Sequence, residues 1–150
     1  MIEKKINLYF IRSSYNIIIA KLCQSLVEQK KKLLINTSSK EENEKLDKYL
    51  WSFKDDAFVP HRTLDDLEYP EEKIILFYGD YTRYEKLKSF DIIFFSPNVR
   101  VKNFNLFNHF FLFSAFKENV NYETHKINLE KIGFKTKILI EDNNKKWQIF

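Results

Sequence analysis

Few side chains in this sequence have the type and spacing for covalent or metal chemistry. His61 follows a proline, His109 lies among phenylalanines, and His125 shares a helical face with Tyr122, Leu129 and Ile132. That face makes His125 an expected core or boundary residue. A zinc-protease helix needs His-Glu-x-x-His, which sets two imidazoles on one face beside a general base, and the sequence has none. A strained Gly-x-Ser-x-Gly turn for a serine nucleophile is equally missing. Cys23 is the single cysteine, so one chain can form neither an internal disulfide nor a multi-cysteine zinc site. It falls inside an apolar helical stripe, where a plain core cysteine is expected. Asp65, Asp66 and Glu68 form an acidic cluster, and their setting in a surface loop reads as solvated charge. No catalytic, metal or cofactor-binding residue is therefore expected. The side chains left with something to do are apolar: Trp51, Phe58 and the neighbouring Pro60.

The elements that position these residues follow from periodicity. Residues 6–12 read as a strand, and Ser13 or Ser14 as a cap for the helix that follows. Tyr15, Ile18, Ile19, Leu22, Cys23 and Leu26 give that helix one apolar stripe, and Lys30 to Lys32 close it, where positive charge suits the helix dipole. Leu33-Leu34-Ile35 is a short buried strand, and Ser39 with Glu42 forms a capping box for a second helix. Strands are expected at 73–78 and 91–95, a short helix around Phe104–His109, and a strand near 110–116. A last helix over about 120–132 ends at Gly133, followed by a strand at 135–141. Strands alternating with helices predict an α/β fold: a three-layer, Rossmann-like domain over residues 1–150, its central sheet mainly parallel and covered by helices on both faces.

Such a fold invites nucleotide binding, yet the glycines argue against it. Only Gly79 and Gly133 are present. A dinucleotide fingerprint needs three close glycines for its tight turn and its approach to pyrophosphate, and a P-loop needs two just before a lysine. Where a phosphate loop would sit, the chain reads Arg12-Ser13-Ser14-Tyr15.

Composition sets the outer limits. The 150 residues are 44% hydrophobic and 17% aromatic, enough for a sizeable core. A net charge of +4, with lysines interspersed among acids, allows an acidic partner but lacks the basic stripe of a nucleic-acid binder. No apolar run reaches the roughly 18–20 residues that span a bilayer, and the N-terminus lacks the pattern of a signal peptide. A soluble, reducing, cytoplasmic setting is expected.

The segment from Leu46 to His61 carries most of the information. Leu46, Tyr49, Leu50 and Phe53 fall at i, i+3, i+4 and i+7, which defines a buried helix face. At about 100° per residue, Trp51 lies about 140° from Leu46 and points away from that stripe. Either Trp51, Phe58 and Pro60 form an apolar contact patch, or the loop folds back and covers Trp51.

With Leu46-Asp47, Leu50-Trp51 and, after a short spacer, Phe58-Val59-Pro60-His61, the sequence resembles the chi subunit of bacterial DNA polymerase III. The resemblance implies a non-catalytic accessory subunit of the clamp loader, with a Rossmann-like fold that uses no nucleotide. It implies two partners, a psi-type subunit and the C-terminal tail of single-stranded DNA-binding protein, with any DNA contact indirect and no membrane involved. Carried over by position, the psi-facing surface is Trp51, Phe58 and Pro60, supported by Val59 and His61. The tail is acidic and ends in an aromatic residue with a free carboxylate. The family meets it with a basic residue, often arginine, about ten residues before the final glycine, where this chain has Glu123. The nearby cations are Lys126, read as lying on an outward face, and Lys117 and Lys131. Trp147 is expected either to cover the sheet edge or to line the tail pocket. The alternative reading is a degenerate Rossmann-like domain that binds single-stranded nucleic acid or a nucleotide directly.

Overall fold

The computed structural model describes residues 3–52, 62–63, 74–79, 90–97, 99, 107–118 and 120–150, without the side chains of Trp51, Arg62 and Thr63. In chain order the elements are β1 (Lys4–Ile11), α1 (Tyr15–Glu28), β2 (Leu33–Thr37), α2 (Lys40–Ser52), β3 (Arg62–Thr63), β4 (Ile74–Tyr78), β5 (Ile92–Phe95), β6 (His109–Ala115), α3 (Tyr122–Lys131), β7 (Phe134–Glu141) and β8 (Trp147–Ile149). The strands form one sheet in the order β3-β4-β2-β5-β6-β1-β7-β8. Every pairing is parallel except that of β7 with β8.

This Rossmann-like α/β arrangement follows from the apolar runs. All five residues of β2 and all four of β5 are buried, as expected where both faces of a parallel sheet are covered. On one face Tyr9, Ile11, Leu33, Ile35 and Phe94 pack against Ile18, Ile19 and Cys23 of α1 and Leu46 and Leu50 of α2. On the other, Ile6, Leu8, Phe10, Ile138 and Ile140 form a second cluster, against which Tyr122 and Leu129 of α3 pack. Phe94 and Phe111 stack at 4.9 Å in the middle of the first cluster. Each such side chain contributes about 1.5–3 kcal/mol through burial.

Helix ends show where local signals held and where tertiary contacts took over. The Ser39 hydroxyl accepts from the backbone N–H of Glu42 at 3.1 Å, while the Glu42 carboxylate reaches back to Ser38 rather than Ser39. Ser14 stands at the start of α1 without a side-chain cap bond, and Ser13, the other candidate cap, gives its hydroxyl to Glu141 instead. The lysine run lies beyond α1, not in its last turn. The N–H of Lys31 bonds Leu26 and that of Lys30 bonds Val27, closing the helix with Lys30 at φ 63° in the left-handed region. Gly133, at φ 97°, takes the same region after α3 as expected.

Two expectations need correcting. The helix expected around Phe104–His109 is not present at its described end: His109 opens β6 and pairs with Lys5, and Phe107 is buried in the second cluster. A run of aromatics suits a helix or a strand equally by spacing, and the parallel pairing with β1 decides it. The C-terminus also carries an unexpected hairpin. The Asp142 carboxylate accepts from the N–H groups of Asn144 and Lys146, turning the chain so that β8 runs back along β7.

Candidate partner-binding surfaces

The helices that carry the two sets of residues, α2 and α3, pack towards opposite edges of the sheet. Seven inter-strand spacings of about 4.8 Å put edge strands β3 and β8 roughly 30 Å apart. Near the β3 edge, α2 docks through Leu46 and Leu50, both fully buried, with Tyr49 half-buried beside them. Trp51 belongs to α2, and the chain from Ser52 leads into β3. The side chain of Trp51, the residues Phe58, Val59, Pro60 and His61, and the acids Asp65, Asp66 and Glu68 lie outside the described residues.

Towards the β8 edge, aromatic and basic side chains gather on the face that carries α3. The Phe10 ring meets Tyr122 edge-on at 4.8 Å and lies 6.4 Å from His125. Tyr122 donates its hydroxyl to the carbonyl of Lys117 at 3.2 Å, and its ring lies 6.2 Å from Phe150, which is 52% exposed. His125 takes the boundary position, exposed at the side of α3. Lys117 and Lys131 are exposed, Lys117 before α3 and Lys131 at its last residue.

Lys126 differs from its expected outward placement. It is half-buried and falls at i+4 from Tyr122 and three residues before Leu129, so it shares the sheet-facing stripe of α3. Trp147 is not brought together with these residues. It packs against the α1-side cluster, its ring edge-on to Tyr9 at 5.5 Å, and so covers the sheet edge on the face opposite α3. Strand alternation explains the split, since Trp147 pairs with Glu141 whereas Phe150 bonds Ile138, whose side chain is on the α3 side.

The loop between β1 and α1, where a nucleotide's phosphate would sit, is filled from within. The Glu141 carboxylate accepts from the backbone N–H of Arg12 at 2.6 Å, the N–H of Ser13 at 2.6 Å and the Ser13 hydroxyl at 2.5 Å. Burial raises the affinity of Glu141 for a proton, but the Ser13 and Arg12 bonds and the charge of Lys145 outweigh it, and its pKa falls below the ordinary 4.5. An ionised carboxylate thus already holds the donors that a phosphate would need. Beside it the Arg12 guanidinium carbon lies 3.6 Å from the centroid of the Phe116 ring, and Arg12 Nε donates to the carbonyl of Glu141 at 3.0 Å.

At the opposite, N-terminal end of the strands a cleft of about 340 Å³ is lined by Glu3, Lys5, Lys31, Phe90, Asp91 and His109, among others. Burial, reinforced by the charges of Lys5, Lys31 and Lys137, pushes the pKa of His109 down to about 4. The neutral ring donates from Nε2 to Asn7 Oδ1 at 3.1 Å, and the Asn7 amide donates to the Tyr9 hydroxyl at 3.3 Å. This chain ends on a phenol whose pKa burial raises to about 12, and the buried Cys23 thiol is likewise pushed up, so neither supplies a ready nucleophile. The consequence is for stability. Between the ordinary value of 6.5 and about 4, the unfolded chain takes up a proton at His109 that the folded chain does not. Stability is expected to fall as the pH drops through that window, and His109→Gln should flatten the slope. Urea melts at pH 7, 5.5 and 4.5 measure this, and an identical slope in the variant would contradict it.

Sequence reasoning singled out neither Phe116 nor Phe150, and noted Arg12 only as part of a missing phosphate loop. No local pattern links Arg12 to a ring as distant in sequence as Phe116. Among the described residues no helix is long and apolar enough to cross a membrane, and no three metal-binding side chains cluster.

Comparison with known proteins adds the family. The model of the DNA polymerase III chi subunit, HolC, matches residues 4–126, from the first residue of β1 into α3. A search of curated proteins found no match. The matched span covers most of the chain, including the whole stretch from Leu46 to His61. This chain belongs to the DNA polymerase III chi subunit family.

Proposed function

We propose that the chain, as one domain over residues 1–150, is a non-catalytic adaptor of the clamp-loader assembly in the bacterial cytoplasm. It joins a psi-type subunit to the C-terminal tail of single-stranded DNA-binding protein. Trp51, Phe58 and Pro60, with Val59 and His61, receive the psi-type partner. Lys117, Lys126 and Lys131 provide positive charge for the tail near β8, and Phe150 takes the aromatic role considered for Trp147.

The observation that carries this reading is the family match over residues 4–126, and edge strands roughly 30 Å apart leave room for two partners at once. The alternative, direct nucleotide binding, is opposed by the Glu141 carboxylate on the donors of the β1–α1 loop. An acidic peptide ending in Pro-Phe is expected to bind the intact chain, and Lys126→Glu and added salt are expected to weaken it several-fold. Fluorescence anisotropy measures this, and no binding at high micromolar peptide would remove the tail half of the proposal. Salt-sensitive binding of labelled single-stranded DNA by the isolated chain would favour the alternative.

A further inference from the structure

We propose that Arg12, from the end of β1, is the residue that receives the carboxylates of an acidic peptide tail, a role the family gives to the last helix. This inference rests on the tail-binding reading above. The Arg12 side chain is exposed, yet two contacts hold its plane: the Phe116 ring beneath it at 3.6 Å and the Nε bond to the Glu141 carbonyl. Its two terminal nitrogens have no hydrogen-bond partner among the described residues. The neighbouring Glu141 carboxylate does not take them, because its bonds run to the two backbone N–H groups and the Ser13 hydroxyl. A guanidinium fixed in this way presents a pre-set fork to a carboxylate, with little freedom left to lose on binding.

The position suits the ligand. Phe116 packs with the α3-side cluster, its N–H donates to Ile11, and the next residue, Lys117, accepts from the Tyr122 hydroxyl. Two residues before Arg12, the Phe10 ring touches Tyr122, and Tyr122 in turn lies beside Phe150. Arg12 therefore heads a strip with Lys117, Tyr122 and Phe150 along it. A peptide ending in an aromatic residue can set its ring against Tyr122 and Phe150 and its carboxylates on Arg12 and Lys117. Lys126 is a weaker candidate for the same task, being half-buried in the sheet-facing stripe and a point charge without a fork.

The test uses the full chain and two labelled acidic peptides ending in phenylalanine, one with a free C-terminal carboxylate and one amidated. Arg12→Ala is expected to weaken the free-acid peptide about tenfold or more and to abolish the preference for it over the amide. Arg12→Lys should restore part of the affinity. Lys21→Ala, which removes one exposed positive charge from α1 on the other side of the sheet, should change binding less than about twofold. Thermal melts of each variant confirm that the fold persists. If the parent chain binds and Arg12→Ala binds as well with the same acid-over-amide preference, the assignment of Arg12 is overturned while tail binding stands. If the parent binds neither peptide, the tail-binding reading itself falls and this inference with it.

Discussion

Replacing Glu141 with alanine is expected to lower the stability of the chain by about 3 kcal/mol, while leaving the sheet order unchanged. The residue is 3% exposed and gathers the N–H of Arg12, the N–H of Ser13 and the Ser13 hydroxyl onto one carboxylate. Truncation leaves three converging donors at the sheet rim without their acceptor, and hydrogen bonds to a charged group contribute about 1.5–3 kcal/mol each when desolvated. Access of water to the vacated donors at the rim keeps the total below their sum. Glu141→Gln keeps the shape and one acceptor, so its loss should be about half as large. The pH dependence follows from the lowered pKa: the carboxylate's contribution is complete above 4.5, and it is lost as the pH falls through the folded-state value below that. In Glu141→Gln the acid limb below 4.5 should therefore be shallower than in the parent. Chemical denaturation at pH 7 and pH 3.5 reads both effects. The vacated donors also make a specific check: phosphate should raise the melting temperature of Glu141→Ala more than that of the parent. Equal stability of variant and parent would mean that this carboxylate is not what occupies the loop.

Trp51→Ala is expected to leave the chain folded and to weaken binding of the psi-type partner about 30-fold or more, the scale of a truncated interface anchor. The contrast lies one residue away. Leu50 is fully buried under the sheet, and Leu50→Ala should cost about 2–5 kcal/mol of stability through the cavity it leaves. Two neighbours on one helix should thus separate, one failing in a melt and the other in a binding assay. Isothermal titration with the partner, beside thermal melts of both variants, makes the comparison. If Trp51→Ala unfolds the domain as Leu50→Ala does, the tryptophan is a core residue and the contact patch does not exist.

What the sequence determined by itself was everything governed by short-range spacing. The i, i+3, i+4 pattern put Leu46 and Leu50 on a buried face of α2 and Cys23 in the core. The Ser39–Glu42 spacing started α2, and Gly133 marked the end of α3, because caps depend on backbone groups within one turn. The ordered spacing of Leu46-Asp47, Leu50-Trp51 and Phe58 to His61 pointed to the family that the comparison then established. Tertiary structure decided what depends on contact between distant segments. Strand pairing made His109 the start of β6, and the Asp142 turn created β8 and sent Trp147 and Phe150 to opposite faces. A turn onto the α3 stripe half-buried Lys126, since helix spacing gives relative angles and only packing says which angle faces the sheet. Above all, Glu141 met Arg12 and Ser13 across almost the whole chain, because parallel pairing of β1 with β7 lines up their ends. No periodicity encodes that meeting, and it is what fills the loop a nucleotide would use and holds Arg12 over Phe116.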